Sequence, residues 1–216
     1  MTEDKNRSSA AAPIRILVVD DHPVLREGVA SVIEAQPDMQ LVGEAADGGE
    51  AVDLFRKLRP DVTLMDVQML HVDGVEATRR IRHEFPSARV VVLTTYSGDV
   101  QALKALKAGA VGYLLKSTLR KELLDAIRAV HSGQRYIPPE IAGEIALHAT
   151  DDPLSQREID VLSLVALGKS NKEVGRALAI TEETVKAHLK SIFEKLAVSD
   201  RTHAVTVATK RGILDP

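Results

Sequence analysis

The chain has 216 residues, a length that suits one large domain or two small ones. Its hydrophobic fraction of 44% and charged fraction of 27% are ordinary for a globular protein, and with no cysteine a disulfide framework, a zinc–thiolate site and a cysteine nucleophile are all excluded. The net charge of −3 hides a weak asymmetry: residues 14–131 hold 15 Lys/Arg against 17 Asp/Glu, residues 132–153 hold one against four, and residues 154–216 hold ten against eight. An excess of two positive charges does not by itself establish nucleic-acid binding.

The opening "MTEDKNRSSAAAP" lacks the apolar core of a signal peptide, and no later run is apolar enough to span a bilayer. Residues 1–13 are expected to form a disordered tail, and the protein to be cytoplasmic with no membrane partner. From Ile14 to His131 the pattern alternates. The runs "IRILVVD", "MQLVGEA", "DVTLMD", "ARVVVLTT" and "VGYLLK" read as strands buried on both faces. Helical patterns follow them over Val24–Ala35, Gly49–Leu58, Gly74–Phe85, Val100–Ala108 and Leu119–His131. Five such units predict an α/β fold, a doubly wound five-stranded parallel sheet covered by helices, over residues 14–131.

Residues 132–153, "SGQRYIPPEIAGEIALHATDDP", carry Gly, paired prolines and acids, and read as a linker with one or two helical turns. From Leu154 the strand pattern stops. Four helices are expected over Gln156–Leu167, Asn171–Ala179, Glu182–Leu196 and Arg201–Gly212, making residues 154–216 a small all-α domain. "SQRE" at Ser155–Glu158 is a capping box for the first, Gly168 suits its C-terminal stop, and Thr181 can cap the third.

The strand ends carry the chemistry. In a parallel sheet the functional groups lie beyond the carboxyl ends of the strands. There Asp20 and Asp21 follow the first strand, Asp66 ends the third, Thr94 the fourth and Lys116 the fifth. Two adjacent aspartates repel and resist desolvation, so they are either solvated or matched by a positive charge. Three carboxylates suit Mg²⁺, a hard cation that keeps several waters and takes one or two protein carboxylates plus a phosphate oxygen. Asp66 then reads as the nucleophile for a phosphoryl group, with Lys116 and the cation neutralising the transferred oxygens. Any one of these aspartates alone would read as an ordinary solvated strand-end charge. Five suitable residues at five suitable positions favour the site.

"LVVDD", "DVQMLHVDG", "VVLTTY" and "AGAVGYLLK" resemble the receiver domain of two-component response regulators across residues 14–131. The resemblance implies Asp66 as the phosphoacceptor for a sensor histidine kinase. It implies Asp21, Asp66 and the Gln68 carbonyl as direct cation ligands, with Asp20 acting through water. It implies Thr94 and Tyr113 as the hydroxyl and aromatic switch residues; the alternative for Tyr113 is a core aromatic on a strand. Gln68 and Tyr96, two positions after Asp66 and Thr94, are expected to overlook the phosphoryl group and set the lifetime of the phosphorylated state. Two positions depart from the family. Leu70 stands where proline would stiffen the loop beside Asp66, and Ser117 replaces a proline that often follows the lysine through a cis bond.

In "NKEVGRALAITEETVKAHLKSIFEKLAV", Val174, Leu178, Ile180, Val185, Leu189 and Ile192 form an apolar face at helical spacing. Lys186, Ala187 and Lys190 point the other way. Two helices joined by a tight turn can lay the second in the major groove, where small and cationic side chains suit base edges and phosphates. Lys172 and Thr184 are expected to reach phosphates. A helical bundle with a solvated lysine face is the competing reading. "LSQREIDVLSLVALGKSNKEV" and "TVKAHLKSIFEKLAVSDRTHAV" resemble the LuxR-type output domain, which implies DNA binding and a final helix that pairs with its twin through Arg201, Val205 and Ala208. The alternative for Val205 and Ala208 is packing on the bundle. Gly175, inside a helical pattern, is unexplained by periodicity.

A receiver followed by a LuxR-type domain is the arrangement of NarL/FixJ-type response regulators. It implies a transcription factor switched by phosphorylation at Asp66, dimerising on phosphorylation and binding an operator of two half-sites. Such a protein catalyses only its own phosphoryl transfer and dephosphorylation. One rival is a regulator independent of phosphorylation with an atypical receiver. Another is an Mg²⁺-dependent phosphatase with an Asp nucleophile, but "DVQ" lacks the second acid of the D-x-D pattern such enzymes use.

Overall fold

The five aliphatic runs are strands: β1 (Ile14–Val19), β2 (Met39–Ala45), β3 (Val62–Asp66), β4 (Val90–Thr94) and β5 (Gly112–Leu115). The computed structural model describes residues 12–95 and 98–214. Helices α1 (Pro23–Glu34), α2 (Gly48–Leu58), α3 (Gly74–Glu84), α4 (Asp99–Lys107) and α5 (Leu119–His131) follow the strands in turn. All pairings are parallel, in the order β2-β1-β3-β4-β5. The chain therefore reverses its winding between β1 and β3, the place where an open α/β sheet leaves a crevice beyond its carboxyl edge. The register sets Val19 beside Met65, Asp66 beside Leu93 and Thr94 beside Leu115, so the polar strand ends share one rim.

Side chains alternate across a strand, and both faces of this sheet are buried. Ile14, Ile16 and Val18 of β1 pack with Val29 and Ile33 of α1 and with Leu123, Ile127 and Val130 of α5. Leu17 and Val19 pack on the opposite face with Val52 and Phe55 of α2 and with Ala77 and Ile81 of α3. Each fully buried aliphatic contributes about 1.5–3 kcal/mol, which is why the strands read as unbroken β-branched runs rather than as alternating ones.

Two compact units emerge. The first holds the described residues to Thr95 together with Ala105–Ile137; the second holds those of Tyr96–Lys104 and Pro138–Pro216. The first unit extends past His131: Tyr136 bridges Gly112 in parallel, and its carbonyl accepts the Tyr113 amide at 2.8 Å. Within residues 132–153 lies a nine-residue helix, α6 (Pro139–Leu147), longer than the single turn or two that the proline and glycine content suggests.

The second unit continues with α7 (Gln156–Ala166), α8 (Asn171–Leu178), α9 (Glu182–Lys195) and α10 (Arg201–Lys210). Val161, Leu162, Val174, Val185, Leu189, Ile192 and Ala208 form its core, with Leu178 and Ile180 packed at the edge. Ser155 and Glu158 form the expected capping box, Gly168 takes φ +77° after α7, and Thr181 accepts the Thr184 amide. Gly175 has a steric cause: a Cβ there would lie 2.8 Å from the Ile180 carbonyl oxygen, where the turn folds back on α8.

Candidate functional site

Asp20, the residue after β1, and Asp66, the last of β3, are each 1% exposed. Lys116, just after β5, reaches between them, its Nζ 2.8 Å from Asp66 Oδ2 and 2.9 Å from Asp20 Oδ2. The Asp66 contact is a hydrogen bond; the Asp20 contact is an ion pair without hydrogen-bond alignment, since Asp20 Oδ2 has no hydrogen-bond partner. Burial raises the Asp66 carboxyl above its ordinary value, opposed by the Lys116 hydrogen bond and reinforced by the Asp20 charge. Burial also works against the Lys116 ammonium, but Asp66 and Asp20 outweigh it and hold its pKa up. Two buried carboxylates thus share one ammonium, which leaves the pocket one positive charge short.

The backbone around Asp66 is tightly fitted. The Gln68 amide donates to Asp66 Oδ1 at 3.3 Å. A Cβ on Gly74, the first residue of α3, would fall 1.8 Å from the Asp66 carbonyl oxygen, so only glycine lets α3 start here. Sequence reasoning missed that role; the signal was the "DG" pair after the loop, with Asp73 capping α3 through the Glu76 amide. In the same loop Leu70 is 74% exposed, and His71 takes φ +68°, a left-handed conformation that costs a non-glycine residue about 1–2 kcal/mol. The described peptide bonds are all trans, Lys116–Ser117 included.

Thr94 and Tyr113 are both buried. Burial pushes the Tyr113 phenol up to about 12, slightly offset by Thr94. Tyr113 therefore stands in the core. Tyr96 lies outside the described residues.

The acids suit a divalent cation. Asp20 Oδ2 and Asp21 Oδ1 are buried oxygens without hydrogen-bond partners, and hard oxygen donors of this kind match Mg²⁺. Asp20, Asp21 and Asp66 converge, and with them comes His22, which the sequence reading left aside: one ligating atom from each of the four lies within 4.8 Å of the others. The main-chain amide of His22 donates to Asp20 Oδ1 at 2.9 Å, and the Arg26 guanidinium donates to the Asp20 carbonyl at 2.6 Å.

In the second unit, Lys172, Lys186, Ala187 and Lys190 are exposed on α8 and α9, opposite the buried Val185, Leu189 and Ile192. Thr184 is half-buried, and its hydroxyl is engaged with that of Thr181 at 2.8 Å. Lys186 pairs with Glu183 at 2.8 Å and Lys190 with Glu194 at 3.9 Å, along the helix surface. Such exposed pairs contribute about 0–1 kcal/mol and give way readily to a phosphate. On α10, Arg201 is exposed and Val205 half-buried, but Ala208 is fully buried in the unit's own core. Its side chain is not offered to a partner, a correction to the expected pairing surface. A buried acid organises this unit. Glu158 Oε1 accepts the Ser191 hydroxyl at 2.6 Å, and Oε2 lies 2.9 Å from Lys195 Nζ, so α7 is tied to α9. Burial raises the Glu158 carboxyl, but hydrogen bonds from Ser191, Ser155 and Lys195 outweigh it and hold it at about 2.

A parallel sheet with an acid–ammonium pocket at its switch point, joined to a capped helix-turn-helix unit, defines a signal receiver coupled to a DNA-binding output. Residues 16–128 match the response regulator receiver domain, and residues 152–208 match the bacterial regulatory proteins of the luxR family. The chain is 41% identical to the transcriptional regulatory protein LiaR of Bacillus subtilis, over 94% of this chain and all of that one. It is 38% identical to the response regulator VraR of Staphylococcus aureus, over 93% and 99%. A solved two-component response regulator of the LuxR family from Aurantimonas sp. is 44% identical, covering 65% of this chain and 100% of that one, with a TM-score of 0.61. The chain belongs to the two-component response regulators with a LuxR-type output domain, and its function is transcriptional regulation. Among the described residues no helix is long and apolar enough to cross a membrane.

Proposed function

We propose that Asp66 accepts a phosphoryl group from a sensor histidine kinase, and that its phosphorylation raises the affinity of the second unit for DNA. The observation that carries this reading is the Lys116 ammonium set between Asp66 and Asp20. A carboxylate oxygen of Asp66 forms the new O–P bond while the P–N bond of the kinase's phosphohistidine breaks, its electron pair returning to the imidazole. Lys116 stays within reach of the phosphoryl oxygens as charge spreads over them. Asp21, Asp66 and the Gln68 carbonyl would hold Mg²⁺, with Asp20 acting through water; when bound, the ion neutralises the transferred oxygens. The protein's own chemistry is confined to this transfer and to hydrolysis of the phosphoaspartate. Gln68, half-buried beside Asp66, and Tyr96 tune that hydrolysis by shaping the approach of water.

Charge at the modified Asp66 draws Thr94 inward, and Tyr113 follows into the space vacated. Lys186, Ala187 and Lys190 read or approach an operator in the major groove, and Lys172 and Thr184 hold its phosphates. Phosphorylated chains pair on two half-sites in the cytoplasm through α10, with Arg201 exposed and Val205 half-buried there. The domain limits we propose are a tail at 1–13, a receiver from 14 whose compact unit runs past 131 to Ile137, a linker from there to 153 and an output domain at 154–216.

The test is incubation with a small phosphodonor and Mg²⁺, read by intact mass. The wild type should gain one acid-labile phosphoryl group and Asp66→Asn none, because an amide is not a nucleophile there. Labelling of Asp66→Asn at the wild-type rate would place the acceptor elsewhere.

A further inference from the structure

His22 sits where a pocket short of positive charge needs a donor. Its Nδ1 lies 3.1 Å from Asp20 Oδ1, 2.7 Å from Asp21 Oδ1 and 4.0 Å from Asp66 Oδ2. Three carboxylate oxygens from two strand ends thus converge on one nitrogen. The main chain holds the residue there: His22 precedes α1, its amide is fixed by Asp20, and Pro23 opens the helix. The ring itself is 68% exposed. A divalent ion about 2.0–2.2 Å from each donor keeps opposite donors about 4.0–4.4 Å apart. The four atoms lie within 4.8 Å of one another, so an ion held directly by Asp21 and Asp66, with Asp20 acting through water, would have the His22 nitrogen within reach. Asp20 Oδ2 and Asp21 Oδ1, buried and lacking hydrogen-bond partners, supply the complementary oxygens.

We infer that His22 is a protein ligand of the cation in the acidic pocket, and that it tilts the site from Mg²⁺ towards a transition-series divalent ion such as Mn²⁺. The inference rests on the reading that this pocket holds a divalent ion. In the metal-free pocket Nδ1 lies at hydrogen-bond distance from Asp20 Oδ1; with the ring proton carried on Nε2, the same atom would offer its lone pair to an ion seated beside the carboxylates. Mg²⁺ prefers oxygen donors and retains water. Imidazole suits the first-row metals, whose affinity for nitrogen sites follows their own order of increase. One nitrogen among the oxygen donors separates the two classes of ion where an all-oxygen pocket would do so less.

The experiment titrates the full chain with Mn²⁺, reading free ion by its electron paramagnetic resonance signal, and with Mg²⁺ by competition. Wild type, His22→Ala and His22→Gln are compared. Removing the imidazole should weaken Mn²⁺ binding by about tenfold and leave Mg²⁺ binding within about twofold. Electron spin echo modulation of the bound Mn²⁺ should show a directly coordinated imidazole nitrogen in wild type and lose it in both variants. That signature on the wild type decides the matter even if a variant folds poorly. Equal binding by all three proteins, with no nitrogen modulation, would make His22 a bystander. Tighter binding of both ions by His22→Ala would make the ring a plug that cations must displace. Either result overturns the inference while sparing the cation reading of the pocket. Failure of the wild type to bind either ion overturns both.

Discussion

Tyr113 of β5 and Thr94, the last residue of β4, are both out of solvent, and Thr94 works against the burial that raises the Tyr113 phenol. The register pairs Val92 with Tyr113 and Thr94 with Leu115, so the two residues lie diagonally across neighbouring strands. A movement of Thr94 towards Asp66 therefore changes the surroundings of a large side chain in the core. Tyr113→Phe keeps the ring and removes the hydroxyl, a change worth about 0.5–1.5 kcal/mol. It should leave labelling of Asp66 intact and reduce the phosphorylation-dependent gain in operator affinity about threefold to tenfold. Gel-shift titrations with and without phosphodonor measure that gain; an undiminished gain would detach Tyr113 from the switch.

Glu158 ties stability to pH. Its carboxyl is held at about 2 in the fold against an ordinary 4.5. A carboxyl depressed in this way contributes its stability above the unfolded value and loses it as pH falls towards the folded one. The second unit should therefore weaken from about pH 5 downwards, by no more than about 3 kcal/mol once about pH 2 is reached. Glu158→Gln should flatten that slope and lower the neutral-pH melting temperature. Thermal unfolding of both proteins across the acid range is the measurement.

The fold was legible because its strands are buried on both faces, so Ile16–Val19 and Val90–Leu93 appear as continuous aliphatic runs with polar ends. The acid pocket was legible because those ends carry charge. His22 was not: a histidine next to two acids reads as solvent-facing until the turn into α1 sets its ring over the pocket. Gly74 and Gly175 were opaque for a related reason. Their cause is a carbonyl oxygen brought close by tertiary folding, of Asp66 in one case and Ile180 in the other, and periodicity carries no trace of that. The capping box of Ser170 and Glu173 was present in "SNKE" and passed unread. Ala208 shows a limit of pattern: on α10 a small residue fits an exposed pairing face or a packed core equally well, and the core holds it.

Gly175→Ala tests the close approach in the turn between α8 and α9. The added methyl meets a backbone oxygen, which cannot move aside as a flexible side chain would. Overpacking of this kind costs about 1–3 kcal/mol. The second unit should melt earlier and operator binding should weaken, while phosphorylation of Asp66 stays unchanged. An unaltered melting temperature would show that the turn yields.

Lys190→Ala separates two roles for one exposed cation. If the ammonium meets a base edge, discrimination at one operator position should fall by about 1–3 kcal/mol. If it meets a phosphate, affinity should fall evenly across sequences and the salt dependence should flatten by about one ion. Binding isotherms over a range of salt on matched and mismatched operators distinguish them. Identical isotherms for the two proteins would move the DNA contact off this face of α9.

The link from Glu158 to Ser191 and Lys195 bears on how the output unit meets a poor site. If α9 is the helix that meets DNA, as proposed, its tie to α7 through a buried acid should resist rocking and leave misfit to the duplex. Tolerance for operator variants should then follow the bendability of the duplex, with flexible pyrimidine–purine steps forgiving substitutions that stiff A-tracts do not. A regulator built this way would rank its promoters by the mechanics of their DNA as well as by their letters.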